Sequence, residues 1–150
     1  MRSLTETASA MFLEQGYEAV SLDTLIARVG GSRRNIYSNF GGKEGLFVEV
    51  VKHLCAELAE PLWKLNIPEH NMHEALSLFA KHLLDVVLQP RALALHRLMI
   101  AEGHRFPQVA QTIHAAGHAQ AGQIIAGWIG AKQAQGRLRD DAPASELANQ

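Results

Sequence analysis

Cysteine is almost missing from this sequence. Cys55 is the single one in 150 residues, so no disulfide can form within the chain and a reducing compartment is its natural setting. Long hydrophobic runs are missing too: the longest, Ile124 to Ala131, falls far short of the roughly 20 residues a membrane-crossing helix requires. The N-terminus lacks the basic, apolar, small-residue layout of a secretory signal. Together these absences predict a cytoplasmic protein with no membrane partner. Catalytic signatures are also wanting. There is no His/Glu zinc motif, no nucleophile elbow and no paired acid and base, so neither an enzyme nor a cofactor is expected.

What is present is helical patterning. With 47% hydrophobic and 19% charged residues the composition is that of a globular protein, and apolar positions recur at helical rather than alternating spacing, which predicts an all-α fold. Leu4, Ala8, Met11 and Phe12 mark a first helix that Gly16 should stop. Ser21 can cap a second through Leu22, Leu25, Ile26 and Val29, and Ser32 a third, very short one with Ile36 and Phe40 inward. A longer helix runs from about Lys43 until Pro61 bends or breaks it. The stretch from Asn66 to His70, with Pro68, reads as a hinge. Beyond it, Asn71 and Glu74 have capping-box spacing at the head of a helix through Met72, Leu76, Phe79, Leu83 and Val87. Further helices are expected over Ala92 to Glu102, from Pro107 to near Gly136, and from Pro143 onward.

Net charge is -1, yet charge is unevenly placed: from Thr24 to Lys43 there is no acid, against Arg28, Arg33, Arg34 and Lys43. Inside that window lies GGSRRNIYSNFGGKEG, in which glycines fence a short helix that begins with two arginines. Arginine there opposes the helix dipole, so a purely structural sequence would place acids. The placement makes sense if the helix end meets a polyanion, where free backbone N–H groups and two guanidinium groups converge on phosphates and guanine edges. Helix, glycine turn and shorter helix from Ser21 to Phe40 is the layout of a DNA-binding helix-turn-helix. Arg34, Asn35 and Ser38 point outward, flanked by Arg33 and Tyr37. A nucleotide-phosphate loop is excluded, because Tyr37 stands where its first glycine belongs and Glu44 follows Lys43 where Ser or Thr should bind magnesium.

The segments ASAMFLEQGYEAVSLDTLIARVGGS and NIYSNFGGKEGLF resemble the N-terminal domain of the TetR/AcrR family of bacterial transcriptional regulators. The resemblance implies a helix-turn-helix domain over residues 1–48, its linking fourth helix starting near 43, followed by a helical ligand-binding and dimerisation domain over 49–150. It implies that Arg33, Arg34 and Asn35 read bases, that Tyr37, Ser38 and Lys43 hold phosphates, and that Ser21 adds a phosphate contact, with Ser32 completing the DNA-binding set. The pattern departs from the family at Val20, Ile26, Gly31 and Asn39. The implied function is a repressor that binds a palindromic double-stranded operator as a homodimer and is released by a small-molecule effector.

In the second domain, RLMIAEGHRFPQVAQTIHAAG is similar to one subgroup of such ligand-binding bodies. Phe79, Leu83, His96, Met99, Ile113, His114 and Trp128 could line a cavity there, with plain core packing the alternative for each. Among eight histidines, His114 and His118 have the spacing of a helical ligand pair, but no acid or second thiol accompanies them and no metal is expected. Two rival functions stay open: a helical ligand-binding or interaction module without DNA binding, and a metal-responsive regulator. Because GRLRDDAPASELANQ looks like the lead-in to the family's final dimerising helices, the sequence is expected to be a piece of a longer chain.

Overall fold

A computed structural model describes residues 4–64, 72–115 and 120–148. Among these, nine helices and no strand are found, and no helix is long and apolar enough to cross a membrane. The chain forms two compact units, one up to Thr112 and one from Ile113 onward.

In the first unit, α1 (Leu4–Ala19) buries Ala8, Met11 and Phe12 on one face. Gly16, at φ 79° and ψ 172°, interrupts it as expected, but the helix re-forms as far as Ala19 instead of stopping. The kink lets Tyr17 turn inward, where it is buried. α2 (Leu22–Val29) starts on Ser21 and ends on Gly30, whose N–H donates to the Ile26 carbonyl at 2.8 Å. α3 (Arg33–Phe40) buries only Ile36. Too short to persist alone in water, it is held by its caps and its seat on α4.

α4 (Lys43–Trp63) is the central helix of this unit and packs against α1, α3, α5 (Met72–Leu88) and α6 (Pro90–Glu102). Leu46, Phe47, Val50, Val51 and Leu54 are completely buried along it. Pro61 does not break it. Placed in the last turn, it forfeits one backbone bond, and the helix runs on to Trp63. Cys55 is packed here, and burial pushes its thiol up to about 11.

α6 begins at Pro90, two residues earlier than expected, since a proline at the first helical position loses an N–H that would have no partner anyway. Arg91 donates to Glu57 at 3.1 Å and so links α6 to α4. On α5, Ala75 and Phe79 are buried and Leu83 is half-buried, whereas Leu76 and Val87, expected inside, are exposed. At the corner after α6, Phe106 is buried against Tyr17 and Phe47, with ring centroids 4.8 and 4.9 Å away. Phe12 meets Phe47 edge-on at 5.2 Å. Such aromatic pairs add roughly 0.5–1.5 kcal/mol each beyond the burial of their surface.

The long helix expected from Pro107 is found as α7 (Pro107–His114) and α8 (Gln120–Ala134). In the second unit Ile129 is buried on α8, and the Gln133 side chain donates to the carbonyls of Arg139 and Ala142 at 2.8 and 2.9 Å. These bonds shape the turn that leads to α9 (Ala144–Leu147), which starts after Pro143 as expected. The Asn66–His70 hinge, the Asn71 half of the capping box, and His118 lie outside the described residues.

Gly45 packs against the end of α3, where a Cβ would overlap the Phe40 carbonyl oxygen. A helical Gly→Ala change ordinarily stabilises by about 1 kcal/mol. Gly45→Ala should instead destabilise by about 1–3 kcal/mol. Gly127→Ala in α8, where a Cβ meets no described atom within 4 Å, should show the ordinary gain; urea unfolding of both variants tests this opposition of sign. Cys55 should react with iodoacetamide at pH 8 about a hundredfold more slowly in the folded chain than in urea, as its depleted thiolate requires.

Candidate nucleic-acid interface

The start of α3 is built by a cap and a turn. Ser32 is extended, at φ -142° and ψ 157°, and its Oγ accepts from the Asn35 N–H at 3.3 Å. Gly30 and Gly31, both at positive φ, lead into it. At the other end Gly41 takes the left-handed conformation, and Gly42, at φ 118°, lies against Tyr37, whose Cε1 would be 3.1 Å from any added Cβ. The result is a helix whose first turn faces solvent. Ser32, Arg33, Arg34, Asn35, Tyr37 and Ser38 are all exposed, Tyr37 by 58%.

The structure brings these residues together but differentiates them. Arg34 makes no hydrogen bond or ion pair to any described residue, so its charge is open to a partner. Arg33 does not stand free. Its Nε donates to Asp23 Oδ1 at 2.8 Å and its Nη2 to Oδ2, a two-point pair in which both side chains remain largely exposed, 62% for Arg33 and 67% for Asp23. The Arg33 hydrogen bond holds the Asp23 carboxyl below the usual carboxylate range, and the Asp23 carboxylate raises Arg33 in turn. Ser38 Oγ donates to the Asn35 carbonyl at 3.2 Å. Ser21 Oγ accepts from the Thr24 N–H at 3.0 Å and shares a 2.7 Å hydrogen bond with the Thr24 hydroxyl, so its first task is capping α2.

Lys43, at the start of α4, folds back over the Tyr17 ring at 4.2 Å and donates to the Glu18 carbonyl at 3.3 Å. Burial lowers its pKa. Arg105, from the corner after α6, pairs with the Glu18 carboxylate and lies 4.9 Å from the same Tyr17 ring. Burial, followed by the nearby Glu44 carboxylate, raises the Tyr17 phenol above its ordinary value.

Asp23, Tyr17 and Arg105 were not singled out from the sequence. Asp23 stands one residue before the acid-free window, and its link to Arg33 spans ten positions. The signal for it was an acid in the first turn of one helix and a base in the first turn of the next.

The effector-cavity residues are dispersed. Phe79 is buried, Leu83 and Met99 are half-buried and His96 is exposed in the first unit. Ile113 and Trp128 are half-buried and His114 is exposed in the second. Trp128 Nε1 is buried with no hydrogen-bond partner among the described residues. An open polar cleft of about 410 Å³ in the first unit is lined by Glu6, Ala10, His53, Glu57 and Arg91, none of the seven. Among the described residues no three metal-ligating side chains gather.

The sequence pattern of bacterial regulatory proteins of the TetR family matches residues 4–50, and that of the C-terminal domain of AefR-like transcriptional repressors matches residues 74–148. The chain belongs to the TetR family. This TetR-family chain is a ligand-responsive, DNA-binding transcriptional regulator, and its family is generally non-enzymatic. It is similar to a solved structure named flavonoid-responsive regulator FrrA, at 28% identity and a TM-score of 0.81 over 98% of this chain and 74% of that one. A TetR-family transcriptional regulator from Mesorhizobium loti, 24% identical, shares the fold at a TM-score of 0.79 over 97% of this chain and 73% of that one. No curated protein sequence matches.

Ser32→Ala should remove the α3 cap and lower stability by about 0.5–2 kcal/mol, whereas Ser32→Asn, which retains a capping oxygen, should restore it. Thermal unfolding of the two variants distinguishes this role from a purely DNA-facing one, which would leave stability unchanged.

Proposed function

We propose that this regulator is a cytoplasmic repressor that binds a palindromic operator as a homodimer and leaves it when a small molecule occupies the C-terminal helices. Residues 1–48 serve as the DNA-binding head and residues 49–150 as the ligand-binding and dimerisation body. The observation that carries the reading is the solvent-facing first turn of α3, with Arg34 unpaired among the described residues beside exposed Asn35 and the Arg33 guanidinium. Backbone N–H groups and guanidinium groups there converge on the side that a major groove would present.

The roles divide by chemistry. Arg33, Arg34 and Asn35 read base edges. Tyr37, Ser38 and Ser21 hold phosphates through hydroxyl groups. Lys43 joins them by leaving the Tyr17 ring for a phosphate, an exchange of a cation–ring contact for a full ion pair. Because Arg105 occupies the same ring and the adjoining Glu18 carboxylate, the corner after α6 adjoins the residues Lys43 departs from. A body rearranged by effector would shift that corner and with it the head.

For the effector, the buried Trp128 N–H supports a ligand with a hydrogen-bond acceptor. FrrA's naming for flavonoids makes flavonoids the first class to screen. Ile113 and His114, in the same unit as Trp128, remain its proposed neighbours in that site.

Fluorescence anisotropy with duplexes recovered from a random-sequence selection tests the function. Operator binding should weaken steeply as salt rises, in proportion to the phosphates neutralised. Arg34→Ala should cost about 1–3 kcal/mol on the selected operator and far less on random duplex, while Lys43→Ala should weaken both alike and flatten the salt slope. Equal losses on both DNAs for both variants would overturn the assignment.

A further inference from the structure

We propose that Asp23 is a specificity-determining positioning residue: it fixes the Arg33 guanidinium so that only the edge suited to guanine faces the DNA. This rests on the reading above that α3 enters the major groove.

Asp23 lies in the first turn of α2, where a carboxylate already complements the helix dipole. A purely local role would end there. Instead both of its oxygens reach Arg33, the first residue of α3. The donors used are Nε and Nη2, which form one side of the planar guanidinium fork. A guanidinium carries five N–H donors in a fixed plane. With the Nε side occupied, the end-on edge formed by Nη1 and the second N–H of Nη2 remains. Those two parallel donors match the paired acceptors O6 and N7 of guanine.

A free arginine samples many rotamers and can satisfy any nearby phosphate. Clamped by Asp23, Arg33 loses that adaptability before binding begins, and what it retains is a rigid fork still 62% exposed. The carboxylate has a second effect. It places a negative charge beside the phosphate backbone and makes a poorly seated complex less favourable, which penalises wrong sequences more than the right one. Arg34, with no such partner among the described residues, keeps the flexible role.

The pair therefore trades affinity for discrimination, and removing Asp23 has an unusual sign. Asp23→Ala should raise affinity for random duplex about twofold to threefold, since one repulsive charge is gone. It should also lower preference for the guanine that Arg33 reads about tenfold. Arg33→Lys, which keeps the charge but cannot present two parallel donors, should lose the same guanine, with a larger loss on the selected operator than on random duplex. In a cycle of Asp23→Ala and Arg33→Ala, the double variant should be no less selective at that position than Arg33→Ala alone.

The experiment is selection from a randomised duplex pool by the full chain and by each variant, with thermal unfolding as a check on folding. The expected result is a motif in which one guanine per half-site fades in Asp23→Ala and Arg33→Lys while the other positions persist. A motif that both variants leave intact, or a parallel fall in specific and random binding for Asp23→Ala, overturns the proposal alone. No enriched motif from the parent chain would overturn the DNA-binding reading and this proposal with it.

Discussion

Tyr17 and Phe47 pressed against Phe106 form the contact on which the first unit depends. Three helical neighbourhoods meet there: the kinked end of α1, the middle of α4, and the corner after α6. The cluster is a packing solution first, because it buries large rings where a short chain has few to spare. It is also an electrostatic one. The Tyr17 ring accepts Lys43 and Arg105, so two cations that would repel one another are held near one ring, with the Glu18 carboxylate adjoining. The position of Lys43, the proposed phosphate-binding lysine, is thus tied to core packing rather than to the surface alone.

α3 is organised by the opposite device, backbone geometry rather than bulk. One buried isoleucine cannot hold eight residues in a helix. What holds them is the Ser32 cap, a left-handed Gly41, and the absence of a side chain at Gly45, which lets α4 press on the Phe40 carbonyl. The helix is stable because its ends are fixed, and its outer face is consequently free of structural duty. That freedom permits two arginines to occupy an electrostatically poor position.

Much of this was legible in the chain. The apolar spacing marked α1, α2 and α4, and Ser21 and Ser32 were readable as caps because a hydroxyl before an apolar-periodic run has few other uses. The outward set Arg33, Arg34, Asn35, Tyr37 and Ser38 followed from the helical wheel. What stayed hidden depended on tertiary distance. Nothing local says that Asp23 meets Arg33, or that Lys43 bends onto Tyr17 instead of extending. Nor does sequence reveal that Arg105 returns to Glu18 across most of the first unit. Proline misled at Pro61, whose effect depended on its falling in a last turn, while Pro90, in a first turn, set the start of α6 two residues before the expected Ala92. Periodicity gave no guide to which face of α5 would be covered, since Leu76 and Phe79 look equivalent on a wheel.

The Asp23 and Arg33 clasp is confined to α2 and α3, whereas the ring that Lys43 leans on is shared with the corner after α6. On the proposed function, base choice and responsiveness are therefore assigned to separate sets of side chains. Under that assignment, altering the clasp would change the operator while leaving the effector response in place.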